Sequence, residues 1–272
     1  MSVKGMDLFY SNRVISWHEH VRGNANGELD IAHCDKFISC CDKAGIDKML
    51  CSVPISDDPF CPPEKFIAAN NIVHQAMRRY PDRILGMCFV NPGYGETAIS
   101  EVKRCVNRLG MKGIKLYHQY FIDDPVLFNF VECCTELDIP ILMHAGKVCD
   151  EDTIKRQPRL SDGVHFAKIA RRYPEANFIM AHIGGGGDWQ WQIKAIADTP
   201  NVVVDMSGSV HDCPMIEEAV EILGADRILF GTDNGFSSCI GKILGADIPE
   251  NHKKTILEGT RYLRFIERAG KQ

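Results

Sequence analysis

Short apolar runs alternate with longer stretches in which apolar residues return every three or four positions, and the alternation repeats eight times. The short runs predict strands over 13–18, 48–53, 84–90, 113–117, 140–144, 177–182, 202–206 and 227–232. The longer stretches predict helices over 31–44, 63–80, 95–109, 125–137, 162–173, 189–198, 215–223 and 251–265. Ala219, Val220, Ile222 and Leu223 fall at helical spacing, as do Phe166, Ile169 and Ala170. Pro punctuates joins such as Tyr80-Pro81-Asp82 and Tyr173-Pro174-Glu175. Val202-Val203-Val204 is apolar throughout, as a parallel strand covered on both faces must be. Eight strand–helix repeats without a break in composition predict an α/β fold, a single (β/α)8 TIM barrel, regular or distorted, over residues 1–272. The alternative is an open doubly wound sheet, which calls for a Gly-rich first turn; here that turn is polar and rich in histidine.

The predicted strand ends carry the chemistry. His18-Glu19-His20 closes the first run, and residues two apart on a strand share a face. Two neutral imidazoles projecting together make half of a divalent-metal site. Later runs end in His144, His182 and Asp233. In a barrel these ends converge at the carboxyl-terminal mouth. Each histidine alone is as readily structural, and Asp233 in Thr232-Asp233-Asn234-Gly235 also suits a turn. Together they favour a site. Nitrogen ligands with a carboxylate suit one divalent metal ion, zinc first, with manganese, iron or nickel as alternatives. An open coordination position would activate water without a catalytic serine.

Other polar residues are weighed against blander roles. His118, just past the fourth strand, contacts a small-molecule substrate or sits in a polar loop. His211 and Asp212 read as an exposed turn, and His33, His74, His165 and His252 as helix-surface or packing residues. The run from Gly184 to Gly187 reads as a compact turn rather than a phosphate cradle, with Asp188 capping the next helix. Lys147, Lys155, Arg156 and Arg159 follow the fifth strand, where a solvated loop is the default. Arg159 is the candidate there for a substrate carboxylate.

Composition narrows the classes. The 272 residues are 45% hydrophobic and 25% charged, as in ordinary soluble domains. A net charge of −5 without a basic run argues against nucleic acid as a partner. No apolar run approaches the ~18 residues of a membrane span, and residues 1–12 lack a signal-peptide core. The twelve cysteines include no Cys-x-x-Cys pair, and several fall inside predicted elements. Reduced thiols in a cytoplasmic protein are the expectation.

The chain resembles the amidohydrolase superfamily, in the branch that includes aminocarboxymuconate-semialdehyde decarboxylase. The resemblance runs from Trp17-His18-Glu19-His20 through Gly113-Ile114-Lys115-Leu116, Met143-His144-Ala145-Gly146, Ala181-His182-Ile183 and Phe230-Gly231-Thr232-Asp233 to Gly259-Thr260-Arg261-Tyr262-Leu263. It implies a distorted barrel with a mononuclear divalent metal. His18 and His20 correspond to paired strand-one ligands, His144 to the strand-five ligand and Asp233 to the strand-eight carboxylate. His182 corresponds to a histidine that contacts metal-bound water or substrate. Ser16 departs from the acidic residue often found two positions before the first histidine. No residue clearly matches the bridging lysine of binuclear members, and Lys115 suits packing or substrate contact. A homodimer is implied by the same resemblance.

The leading expectation is metal-dependent hydrolysis of an amide, lactone or related bond, with Asp233 or His182 moving the proton. The alternative is metal-dependent, non-oxidative decarboxylation of an aromatic or unsaturated carboxylic acid. A metal-independent lactonase and a noncatalytic barrel that binds a metabolite are further readings.

Overall fold

A computed structural model describes residues 5–55, 57–148, 150–183, 185 and 187–267. Eight parallel strands run in sequence order: β1 (Ile15–His20), β2 (Lys48–Ser52), β3 (Ile84–Phe89), β4 (Gly113–Leu116), β5 (Ile141–Met143), β6 (Phe178–Met180), β7 (Val202–Asp205) and β8 (Ile228–Leu229). The ring closes between β8 and β1, where Trp17 N donates to Phe230 O at 2.8 Å and Asp233 N to His18 O at 2.8 Å. The predicted (β/α)8 barrel is the observed one.

Both faces of the strands are covered, which is why they read as unbroken apolar runs. Ile15, Trp17, Leu50, Met87, Leu142, Ile179, Val203 and Leu229 fill the interior. Val202 and Val204 point to the opposite side, into the layer beneath the helices. Tyr262, Phe265 and Ile266 close the amino-terminal end, with the Tyr262 hydroxyl donating to Phe178 O at 3.2 Å.

Local rules account for the element ends. Helix Ile31–Ala44 starts where Asp30 accepts from His33 N at 3.0 Å and stops at Gly45 in the left-handed conformation. The stretch expected as one helix over 251–265 divides into Glu250–Glu258, the 3-10 turn Thr260–Tyr262 and Leu263–Glu267. Gly259 breaks it at φ +60°, and a Cβ there would sit 2.3 Å from Trp17 Nε1. Helices Glu151–Arg156 and Phe236–Gly245 were not expected; both lie in connections at the barrel mouth.

Nine cysteines are buried, and Cys40 and Cys213 are exposed; all eleven described cysteines are free. No helix among the described residues is long and apolar enough to cross a membrane. Gly184 and Gly186 lie outside the described residues, whereas Asp188 caps its helix by accepting from Trp191 N at 3.2 Å.

Candidate metal centre

The strand ends do converge. His20 Nε2 lies 2.9 Å from Asp233 Oδ1 and His18 Nε2 lies 3.8 Å from the same oxygen. His182 Nε2 is 3.9 Å from Asp233 Oδ2 and 2.9 Å from His144 Nδ1. Donor atoms of His18, His182 and Asp233 all fall within 4.8 Å of one another. All five expected residues therefore share one region at the carboxyl ends of the strands.

The backbone brings them there by local devices. Between Ser16 and Glu19 the β1–β2 register slips, so Trp17 and His18 together oppose Leu50 alone. Such a bulge re-aims side chains without ending the strand. His144 N donates to Leu116 O at 2.9 Å, which extends the β4–β5 ladder to the histidine. His182 and Asp233 have φ of 63° and 49°, a left-handed conformation uncommon in residues with a side chain. Strained strand ends of this kind collect at functional sites. After β5 and β6 the chain crosses itself closely: a Cβ on Gly146 would lie 2.7 Å from Gly185 O, and one on Gly185 2.6 Å from Ala145 O. Only glycine allows that crossing, and it fixes the loops next to His144 and His182.

Outer partners settle which ring nitrogens face inward. Asp205 Oδ2 can only accept, so His18 donates through Nδ1 at 2.9 Å and keeps its Nε2 lone pair. The Ser207 hydroxyl donates to Asp205 Oδ1 and so accepts from His182 Nδ1 at 2.8 Å, leaving the Nε2 lone pair of His182 inward. His144 Nε2 faces Gln157 Oε1 at 3.2 Å and so donates outward, whereas His20 Nδ1 takes the Ser52 hydroxyl at 3.1 Å and its Nε2 donates to Asp233 Oδ1 at 2.9 Å. Three imidazole lone pairs, on His18, His144 and His182, thus face the space beside the Asp233 carboxylate. Such a set repels itself unless a cation or protons lie among its members, and imidazole nitrogens with one carboxylate suit a divalent ion. The residues fit a metal.

Lys115 is already close to this set. Its Nζ donates to His18 Nε2 at 2.7 Å and stands 5.1 Å from the centre of the Tyr117 ring. Burial pulls its ammonium down to about 8, against the opposing pull of Asp233 and Asp205. Burial lowers His18 to about 4, assisted by Lys115, and His182 to about 3, assisted by His18. His144 is likewise held well below its usual value, by burial and then by His182. Neutral imidazoles are the form that binds metal. Burial opposes ionisation of Asp233, but the hydrogen bond from His20 and the facing histidines outweigh it and hold the group well below the usual carboxylate range.

Three positioning residues escaped the sequence reading. Asp205 and Gln157 are the outer partners of His18 and His144 described above. Glu19, which is buried, accepts from the hydroxyls of Ser16 and Thr232 and from Asn234 N at 3.0 Å. It thereby clamps the turn that carries Asp233, while Ser16 supports it in place of the acidic residue expected there. Burial pushes the Glu19 carboxyl up to about 7.

A cavity of about 1060 Å³ adjoins the histidines and is lined in part by Phe60, His118, Lys155, Arg156, Gln157 and Arg159. His118 is buried, and its ring centre lies 6.2 Å from that of His144. Lys147 instead pairs with Asp162 at 3.1 Å, and His211 and Asp212 are exposed, the latter accepting from Trp189 Nε1 at 2.9 Å.

Comparison with known proteins agrees with this architecture. The chain is 26% identical over 220 residues to 2-keto-4-carboxy-3-hexenedioate hydratase of Sphingobium sp. strain SYK-6, covering 68% of this chain and 61% of that one. It thus spans about three fifths of that relative's length. It is 25% identical over 264 residues to gamma-resorcylate decarboxylase of Rhizobium radiobacter, covering 77% and 78% of the two chains. Among solved structures, dihydroxybenzoic acid decarboxylase of Polaromonas sp. JS666, with bound manganese and the inhibitor 2-nitroresorcinol, superposes with a TM-score of 0.74 at 20% identity, covering 95% of this chain and 98% of that one. The amidohydrolase family model matches residues 61–238, a span that holds His144, His182, Asp205 and Asp233, and the chain belongs to that family.

Proposed function

We propose that this chain is a metal-dependent, non-oxidative decarboxylase of an aromatic or unsaturated carboxylic acid. The observation that carries the reading is the convergence of four histidines and Asp233 at a barrel mouth, three of the imidazoles with a lone pair turned inward. Likeness to gamma-resorcylate decarboxylase over most of both chains supports decarboxylation over the hydrolysis that the sequence put first.

His18, His20, His144 and Asp233 would hold one divalent ion, zinc or manganese. When bound, the ion supplies positive charge that draws electron density from the oxygen atoms of the substrate. Lys115, within the site, adds a second positive charge beside those oxygens. His118 and Arg159, on the cavity wall, orient the acid. Decarboxylation breaks the bond from carbon to carboxylate, releases carbon dioxide and leaves an electron pair on carbon that must take up a proton. That proton comes from solvent water and passes through Asp233 or His182, both of which rest unprotonated and so can take it up and hand it on. The two lie 3.9 Å apart, and the Ser207 hydroxyl holds the far nitrogen of His182 so that Nε2 keeps facing the site.

Likeness to a hydratase favours a second reading, in which the same residues add water across a carbon–carbon double bond. Turnover of a panel of hydroxybenzoic and unsaturated acids in deuterium oxide separates them. Carbon dioxide release with one deuterium on the product carbon supports decarboxylation. Water addition without carbon dioxide sinks it in favour of the hydratase.

The whole chain acting as one catalytic unit, a homodimeric assembly and a cytoplasmic location complete the proposal. The eleven free cysteines and the family resemblance support them.

A further inference from the structure

We propose that the cavity beside His144 is a subsite for a second acidic group, so that the enzyme takes a diacid rather than a simple monoacid. One carboxylate would face the histidines and the other would meet the guanidinium groups of Arg159 and Arg156. The proposal deepens the decarboxylase reading and rests on it for the fate of the first carboxylate.

Three observations carry it. First, Gln157 and His118 both line the cavity and both neighbour His144, so the cavity is continuous with the candidate metal centre. Second, its charge is unbalanced. Lys155, Arg156 and Arg159 line it against the single carboxylate of Asp57. Lys155 has Glu151 at 3.5 Å, but among the described residues no carboxylate lies within ion-pair distance of Arg156 or Arg159. Third, Arg159 is held in place. It donates from Nη1 to Gln119 O at 3.0 Å, and its guanidinium carbon lies 5.8 and 5.7 Å from the ring centres of Phe60 and Tyr120. An arginine fixed between aromatic faces has little freedom left to lose when it takes a carboxylate through its remaining N–H groups. Arg159 is exposed, so these contacts orient it while leaving its other N–H groups open to a ligand.

The test is titration calorimetry on the chelated, metal-free protein with isophthalate and benzoate, which differ by one carboxylate. Wild type should bind isophthalate about tenfold more tightly than benzoate. Arg159→Leu should erase the preference, and Arg159→Lys, which keeps the charge but not the fork, should restore part of it. Should Arg159→Leu fail to melt like wild type, Arg156→Gln carries the same comparison and should reduce the preference. Equal binding of the two acids by wild type, or a preference that survives Arg159→Leu in a folded protein, overturns the proposal. Isophthalate preference without carbon dioxide from any acid keeps the subsite and removes the decarboxylase. Carbon dioxide from monoacids with a KM indifferent to Arg159→Leu keeps the decarboxylase and removes the subsite.

Discussion

His18 Nδ1 donates to Asp205 Oδ2 at 2.9 Å, and both side chains are buried at the ends of β1 and β7. The same carboxylate receives the Ser207 hydroxyl and, at 3.2 Å, His182 N. One aspartate therefore fixes the tautomer of one candidate ligand and the backbone of a second histidine. Asp205→Asn should weaken metal binding by about 10- to 100-fold, as loss of such outer partners generally does. Competition against a chromogenic chelator measures this. Unchanged affinity in a folded variant would show that Asp205 serves packing alone.

Replacing His18 and His20 together with Ala should remove the metal, read as stoichiometry by elemental analysis. Asp233→Asn should lower kcat by about 10²- to 10⁴-fold, the usual contribution of a positioned acid or base, in addition to weakening the ion. Full turnover by the double histidine variant would refute the ligand assignment.

Acid should destabilise the metal-free protein earlier than carboxylate titration alone would. His18 and His182 are lowered to about 4 and about 3, and His144 is lowered as well. Below about 6.5 the unfolded chain takes up protons that these buried rings refuse, so it binds more protons than the folded one. The three rings then cost stability as pH falls from 6.5 towards 4, by up to about 1.4 kcal/mol per pH unit each. About one ring's worth is offset by Glu19, which is raised to about 7 and in the folded state holds a proton that the unfolded chain lacks between about 7 and 4.5. Urea midpoints of chelated protein between pH 7.5 and 5 read the slope. His182→Asn should flatten it, since asparagine tolerates the left-handed backbone better than most residues. A flat profile in wild type would mean that the folded rings protonate freely.

Gly259→Ala should cost roughly 1–3 kcal/mol, as overpacking and a disfavoured left-handed backbone together predict. The added Cβ would run into Trp17 Nε1, and Trp17 packs edge-on against Tyr262 at 5.6 Å in the closed end of the barrel. Chemical denaturation measures the loss. Metal affinity of the folded fraction should not move, because this contact lies at the end opposite the site.

Much of this was legible because its cause is local. Helix Ile31–Ala44 could be read to the residue, since Asp30 and Gly45 are chemical start and stop signals. His18, His20, His144, His182 and Asp233 stood out because each ends an apolar run. Asp205 ends β7, but inside the strand expected over 202–206 it passed as an interior position; only its partner 187 positions away reveals its role. Gln157 follows a six-residue helix with no apolar periodicity, inside a connection that reads as solvated loop. Helix Phe236–Gly245 was hidden by Gly235, Gly241, Gly245 and two serines, all poor helix formers. Contacts between distant strands decide such residues, and no short window of sequence contains them.

Gln157 belongs to two neighbourhoods at once, as part of the cavity wall and as the anchor of the outer nitrogen of His144. Selectivity for the incoming molecule and grip on the proposed ion would for that reason not be independent properties of this protein. A loop graft that reshaped the entrance around Glu151–Arg156 would also unmoor an imidazole, so exchange of specificity between relatives calls for the segment and its histidine to be moved as a pair.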